Sequence, residues 1–382
     1  MEAGLGISTD PDARQAGEAA AVAALESVGR PDGMILFVGP GYGEDLPLLL
    51  DRVIDVAGCE QVVGANGYGV LGGGFEVEGQ PGVVALAWSG LDSQPFLMTD
   101  VCGDAFAACQ ELAARFDGPP REEDLVVLLP DPRHFEALAF LEASAKVLGP
   151  ATVVGAGAGD PLAGAPLLWS GRTVSSGGIA GVVLRGAKPP RIGVTQACRP
   201  VTDLLTVTRS RGHWLLELDG RRALDVYREV ARGPLAEDLN RAASFLLVAL
   251  PVDPAADDLK PGSYLVRNVM GFDPEANAFA IPEELPRGSR IALALREPGS
   301  AREDLKAMLE GIGSAPPAMG LYFNCCARGA AFFGIPGLEA AYLESYFGKA
   351  PIGGMFGSCE IGPIGGRSEL LTYTGVLALI DA

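Results

Sequence analysis

The sequence predicts an α/β protein with mixed sheets, built from two domains. Three observations predict it. Apolar runs of five or six residues, bounded by glycine or proline, alternate with segments whose apolar residues recur at helical spacing. That alternation returns three times, as strand, helix, strand, glycine-rich loop and further strand. Between the second and third returns lies a hairpin-rich stretch of different pattern.

The chain begins with "STDP", a helix N-cap followed by proline, and the alanine-rich helix 11–28 follows. The first unit runs from "MILFVGPGYGED" through "LPLLLDRVIDVAG" and "QVVGANGYGVLGGGFEVEG" to "GVVALAW", residues 34–88. Its helix sets Leu46, Leu49, Leu50, Val53 and Ile54 on one face and Asp51, Arg52 and Asp55 on another. The second unit covers 125–186, from "LVVLLPDPRHF" to "GGIAGVVLRG". Strand–helix–strand implies parallel pairing with a right-handed crossover, and the last strand of each unit returns antiparallel. "GAKPPR" (186–191) reads as a linker, since Pro-Pro continues neither a helix nor a central strand. A hairpin over 202–220 with its turn at Ser210–Gly212, a short helix and strands at 245–250, 263–270 and 290–296 fill the middle. The third unit spans 319–380, from "MGLYFNCCARGAAFFG" to "YTGVLALI".

Composition narrows the function. With 48% hydrophobic and 20% charged residues, the 382-residue chain buries sizeable cores. A net charge of −19 repels phosphate backbones and anionic lipid surfaces, so nucleic-acid and membrane partners are not expected. No apolar run approaches the ~18 residues that span a bilayer. The N-terminus lacks a basic-then-apolar leader, and a cytoplasmic protein is expected. Seven cysteines without C-x-x-C give no zinc or thioredoxin-like motif. Cys102 and Cys109, seven apart, fall on one helical face as small core side chains.

Several motifs fail. The loops "GPGYGED", "GANGYGVLGGG" and "GAGAGD" lack the full G-x-G-x-x-G, and Glu44, Asp45 and Asp160 would repel a phosphate. There is no G-x-S-x-G elbow. His134 and His213 are the only histidines, too few for a multi-histidine metal centre. No cofactor is required by the sequence.

The stretch that survives is "LYFNCCARG". Its strand ends near Cys325 and Cys326, at the kind of edge where α/β proteins bind ligands. Arg328 offers a fork of donors suited to a carboxylate, and it would lower the pKa of Cys325. "GGMFGSCEIGPIGG" adds Gly357, Cys359 and Glu360 on a second loop of the same unit. Two readings of Arg328 with Glu360 stay open: a pair that reads the two charged ends of an amino acid, or an ion pair that fixes a loop. Arg267 and Asn268, in an apolar strand, form a second candidate. A buried guanidinium there needs either an acid or a ligand. Arg199, held extended before Pro200, is a third, with Cys198 beside it as core.

These stretches, in this order across about 31–380, resemble the FIST family, with a FIST N-terminal domain (31–218) and a FIST C-terminal domain (219–382) after an N-terminal helix (1–30). The family pattern at the C-terminal site is similar to F-S-C-x-G-R-G followed by G-F-F-x-x-G-E-I. Phe323, Cys325, Arg328, Gly329, Phe356, Glu360 and Ile361 match it. Asn324, Ala327 and Cys359 depart from it, and Cys359 puts a side chain where the family has glycine. The resemblance implies a sensory, signal-transducing protein that binds a small ligand such as an amino acid and signals through a partner protein. Cys325, Arg328, Gly329, Gly357, Cys359, Glu360, Asn66, Arg267 and Asn268 are then the ligand-binding candidates. Arg328 would take the ligand's anionic group, Glu360 its cationic group, and the two asparagines would supply amide hydrogen bonds. Two alternatives accompany this reading. One is a haem or nitric-oxide sensor with His134 or His213 as axial ligand. The other is a cysteine-dependent enzyme with Cys325 as nucleophile.

Overall fold

The computed structural model describes residues 1–382 apart from Asp100, Cys102, Ala163, Gly164 and Gly233, so the expectation for Cys102 lies outside the described residues. The chain forms two compact units. One comprises 1–194, 308–370 and 374–382, and the other comprises 195–307 and 371–373.

The first unit contains three related repeats. The first opens with β1 (Glu2–Ser8), a strand the sequence pattern does not announce, and α1 (Ala13–Leu25). Asp12 caps α1 by accepting a hydrogen bond from Gln15 N at 2.9 Å. Then come β2 (Gly33–Val38), α2 (Leu46–Ala57), β3 (Val62–Asn66), β4 (Gly69–Gly72), β5 (Phe75–Glu78) and β6 (Val83–Ser89). Every residue of β2 and β3 is buried, as strands covered on both faces require. The apolar face of α2 packs into that core, and the helix stops at Gly58, whose φ of 58° suits a residue without Cβ.

The second repeat follows the same order: β7 (Asp92–Met98), α3 (Ala105–Ala113), β8 (Asp124–Pro130), α4 (Ala137–Val147), β9 (Thr152–Ala156), β10 (Leu168–Ser170), β11 (Thr173–Ser175) and β12 (Ile179–Arg185). Cys109 is fully buried in α3, among the apolar side chains of this repeat. The "GAKPPR" stretch then leads directly into β13 (Arg191–Gln196).

The second compact unit interrupts the third repeat. It holds β14 (Cys198–Pro200), β15 (Leu205–Arg211), β16 (Trp214–Leu218), β17 (Arg221–Arg222), α5 (Ala223–Val230), α6 (Pro234–Glu237), α7 (Leu239–Ala242), β18 (Leu246–Pro251), β19 (Tyr264–Arg267), β20 (Gly271–Asp273), β21 (Ala278–Ala280) and β22 (Arg290–Arg296). Its strands pair antiparallel in one sheet around a core that includes Leu224, Tyr227, Phe279 and Leu293. The hairpin turn lies at residues 212–213, slightly beyond the expected position, because Arg211 still pairs with Trp214.

α8 (Pro298–Ile312) begins in the second unit and ends in the first, and the third repeat resumes with β23 (Met319–Cys325), α9 (Ala330–Phe333), α10 (Leu338–Phe347), β24 (Ile352–Gly357), β25 (Glu360–Ile364), β26 (Arg367–Leu371) and β27 (Thr374–Ile380).

One topology recurs in all three sheets. β2 and β3, β8 and β9, and β23 and β24 pair parallel. β6, β12 and β27 return antiparallel beside the first member of each pair. β1, β7 and β13 form the outer edges. On the remaining edge each repeat receives a hairpin from another repeat. β4–β5 docks on β24, β10–β11 on β3, and β25–β26 on β9. The exchange closes in a ring, so no repeat completes its own sheet. An uncovered strand edge is costly, which makes the three repeats one folding entity. This also explains why residues 308–370, late in sequence, belong with 1–194. Among the described residues no helix is long and apolar enough to cross a membrane.

Candidate functional site

The hairpin exchange forces the three turns that follow β3, β9 and β24 toward one place, since each must leave its own sheet and enter another. Backbone hydrogen bonds tie them together. Tyr68 N donates to Phe356 O at 2.9 Å, Gly159 N to Asn66 O at 3.1 Å, and Gly157 N to Cys359 O at 2.9 Å. The approach is close enough to demand glycine. A Cβ at Gly157 would lie 2.5 Å from Ser358 Oγ, and one at Gly159 would lie 2.4 Å from the Tyr68 ring.

The carboxyl end of β23 joins them: Cys326 N donates to Gly357 O at 2.9 Å. Residues 325–328 form a tight turn, closed by Arg328 N donating to Cys325 O at 2.9 Å. Cys325 is buried and Cys326, one residue on, is exposed. Tyr68, Cys359 and Asp160 are half-buried around them.

Arg328 points away from this surface. Its guanidinium is wholly buried and pairs with Glu339, which is 1% exposed. Glu339 also accepts from Asn324 Nδ2, and from the Tyr322 hydroxyl at 3.3 Å. The guanidinium lies 5.7 Å from the Phe333 ring centroid. Arg328 therefore has a protein acid as its partner, and that acid is not Glu360. Its visible role is to anchor the turn that carries Cys326. Gly329 sits against Glu78, whose carboxylate accepts from Ala330 N at 2.9 Å. Glu76, on the same exchanged strand β5, accepts from Glu339 N at 2.8 Å and Ala340 N at 2.9 Å. Hairpin β4–β5 thus caps α9 and α10.

Glu360 is completely buried. Its Oε2 accepts from Thr374 Oγ1 at 2.8 Å and Thr374 N at 3.2 Å. Its Oε1 is buried with no nitrogen or oxygen partner and lies by the Cys325 sulfur. Burial, and then the neighbouring Cys325 sulfur, push its pKa well above the carboxylate range, against the Thr374 hydrogen bonds. The shift favours the protonated carboxyl. A hydrogen bond from Cys325 lowers the Cys326 pKa against the opposing pull of desolvation. Cys359 is pushed up to about 12, mainly by burial. Desolvation, followed by the charges of Cys326 and Asp160, raises Tyr68.

The structure brings Asn66, Cys325, Gly357, Cys359 and Glu360 to one end of the sheets. Asn66 serves the local architecture: its Oδ1 accepts from Leu167 N at 2.8 Å. Arg267 and Asn268 belong to the other compact unit. There Glu283 supplies the acid that Arg267 needs, accepting from its Nε at 2.6 Å, and Asn268 is exposed. Arg199 pairs with Glu297 at 2.9 Å. His134 Nδ1 lies 3.1 Å from Asp131 Oδ2, and His213 is exposed in the 212–213 turn. Among the described residues no group of three or more His, Cys, Asp or Glu side chains is placed to hold a metal ion.

Sequence reasoning missed Tyr68, Glu339 and Thr374. The signal for Glu339 was present, as a lone acid opening the apolar segment "LEAAYL" close after Arg328. Tyr68 stood in a glycine-rich loop, where nothing local told it from a turn residue.

The chain matches the FIST N domain over residues 32–221 and the FIST C domain over 223–363. It is 31% identical over 385 residues to an uncharacterized protein of Mycobacterium tuberculosis (strain CDC 1551 / Oshkosh), covering 99% of both chains. A similar uncharacterized protein of Mycobacterium bovis is also 31% identical, over 99% of this chain and 98% of its own.

Proposed function

The chain belongs to the FIST family, whose domains are associated with small-ligand binding in signal transduction, and we propose that it is a cytoplasmic sensor of an amino acid or related polar metabolite. It passes the signal to a partner protein. The ligand sits where the exchanged turns meet, against Tyr68, Cys326 and Glu360. The observation that carries this reading is the fully buried Glu360 carboxyl, whose Oε1 has no nitrogen or oxygen partner and lies by the weakly bonding Cys325 sulfur. Such an atom costs stability, on the order of 1–3 kcal/mol, and a ligand that satisfies it recovers that cost.

The local charges favour an ammonium group as the part of the ligand that Glu360 meets. Glu360 and Asp160 are acids, and Arg328 is engaged by Glu339. An arriving ammonium displaces the Glu360 proton and leaves an ion pair in a dry setting. Tyr68, half-buried at the rim, offers a hydroxyl to the ligand's oxygens.

Isothermal calorimetry with a panel of amino acids, amines and organic acids tests this, using the full chain and Glu360→Gln. A cationic ligand binds the wild-type chain, and Glu360→Gln weakens it at least tenfold, about 1.4 kcal/mol. Wild-type affinity rises with pH, because binding releases the proton that burial favours on Glu360. Equal affinities in the two proteins, affinity that falls with pH, or no binding across the panel would overturn the assignment.

A further inference from the structure

We propose that the fold holds a second binding site, for a short free peptide, on the open edge of β1. A cavity of about 300 Å³ lies there, between β1, the β4–β5 turn, the end of α10 and the start of β24. All four belong to one compact unit. The backbone of β1 gives the first indication of a ligand. Gly39 N donates to Gly82 O at 2.7 Å and Asp32 N to Trp88 O at 2.8 Å, so even-numbered residues along β6 turn their peptide groups to β2. Odd-numbered ones face β1, where Ala87 opposes Gly4 and Ala85 opposes Gly6. Gly4 and Gly6 therefore bond β6, and Ala3 and Leu5 turn N–H and C=O outward. Ala3 and Leu5 are half-buried and line the cavity, and these groups have no partner among the described residues. Such an edge is a template for another extended chain. It is also held firmly in place: Leu5 Cδ1 would stand 2.8 Å from a Cβ on Gly353.

The charges give the second indication. Of the residues lining the cavity only Glu344 and Lys349 are charged, and neither has an ion-pair partner among the described residues. The Glu344 carboxylate leans over the β4–β5 turn, where a Cβ on Gly74 would stand 2.3 Å from its Oε2. One acid and one base, both unpaired, match the two ends of a zwitterion. The spacing of the edge sets its length. Ala3 and Leu5 lie ~7 Å apart along the strand. A chain that bonds both needs about three residues, the first and third pairing with the edge. A single amino acid is too short to do so. The peptide's ammonium meets Glu344 and its carboxylate meets Lys349. Both side chains are exposed, so each ion pair adds little affinity and chiefly fixes the direction of the peptide. The volume is at the small end for ligand sites, which favours side chains the size of glycine and alanine.

The cavity lies by the amino end of β24, whereas Glu360 follows its carboxyl end, so the test is separate from the reading of Glu360. Titration calorimetry of the full chain uses the peptide Ala-Ala-Ala, the same peptide N-acetylated, and the same peptide C-amidated. The free peptide binds saturably, and each blocked form binds about fivefold more weakly, as the loss of an exposed ion pair implies. Glu344→Gln binds the free and acetylated peptides alike, and Lys349→Met binds the free and amidated peptides alike. Ala3→Pro removes an outward N–H, leaves the bonds to β6 in place and weakens the free peptide at least tenfold. Ala3→Ser keeps that N–H and keeps the affinity, which separates loss of the donor from loss of the fold. No saturable binding to the wild-type chain, blocked peptides that bind as tightly as the free one, or unchanged affinity in Ala3→Pro would each overturn the proposal.

Discussion

Replacing Arg328 by methionine should destabilise the chain far more than a surface change, because Glu339 would be left charged and buried. The guanidinium is wholly buried and Glu339 is 1% exposed, so water cannot take over the lost contact. Breaking such a pair from one side costs about 3–5 kcal/mol. Asn324 and Tyr322 still donate to Glu339, which places the expected loss near ~3 kcal/mol, and methionine keeps enough volume to limit any cavity term. For a unit of this size each kcal/mol lowers the Tm by about 2–4 °C, so Arg328→Met should melt roughly 6–12 °C below wild type. The double variant Arg328→Met with Glu339→Gln should recover part of that loss, since no charge remains buried. Calorimetry on the four proteins of the cycle gives the coupling. Effects that add to within ~0.5 kcal/mol, or a single-variant loss below ~1 kcal/mol, would refute the claim that Arg328 acts as a buried anchor.

Two further perturbations follow from the exchanged hairpin and from close strand packing. Burial pushes Glu76 up to about 7, so between pH 4.5 and 7 the folded chain holds a proton that the unfolded chain has lost. Stability is fully present below 4.5 and falls as pH rises to 7. Glu76→Gln should flatten the decline of Tm across that window, leaving the part due to Glu360, which slopes the same way; an unchanged decline would remove Glu76 from the account. Gly354→Ala should cost ~1–3 kcal/mol or more, because its Cβ would fall 1.8 Å from the Tyr322 carbonyl oxygen in the paired strand. Gly271→Ala, with open space around it, should stay within ~0.5 kcal/mol, and similar Tm values for the two variants would contradict the close approach of β24 to β23 at Gly354.

Much of the architecture is written in local patterns. Continuous apolar runs such as "MILFV" and "LVVLL" mark strands covered on both faces, and these are β2 and β8. The helical spacing of Leu46 to Ile54 marks α2 and its buried side. These signals are carried by the period of each element, and they survive folding because each element keeps its own hydrogen bonds. β1 escaped notice because "EAGLGIS" pairs through glycines that lie tight against α1, with no apolar run to advertise a strand. The candidate site was partly legible: Cys325, Cys359 and Glu360 stood out as polar groups at strand ends.

The partners of those groups were settled elsewhere. Arg328 and Glu360 read alike as half of a charged pair in sequence, yet one is closed onto Glu339 and the other bonds Thr374 with one oxygen and leaves the second by the Cys325 sulfur. Which acid meets which base depends on how three turns, distant along the chain, come together once each repeat hands its hairpin to another sheet. Periodicity records the faces of single elements. It carries no record of which edge a departing hairpin will join, because that choice is made by hydrogen-bonding groups every residue shares.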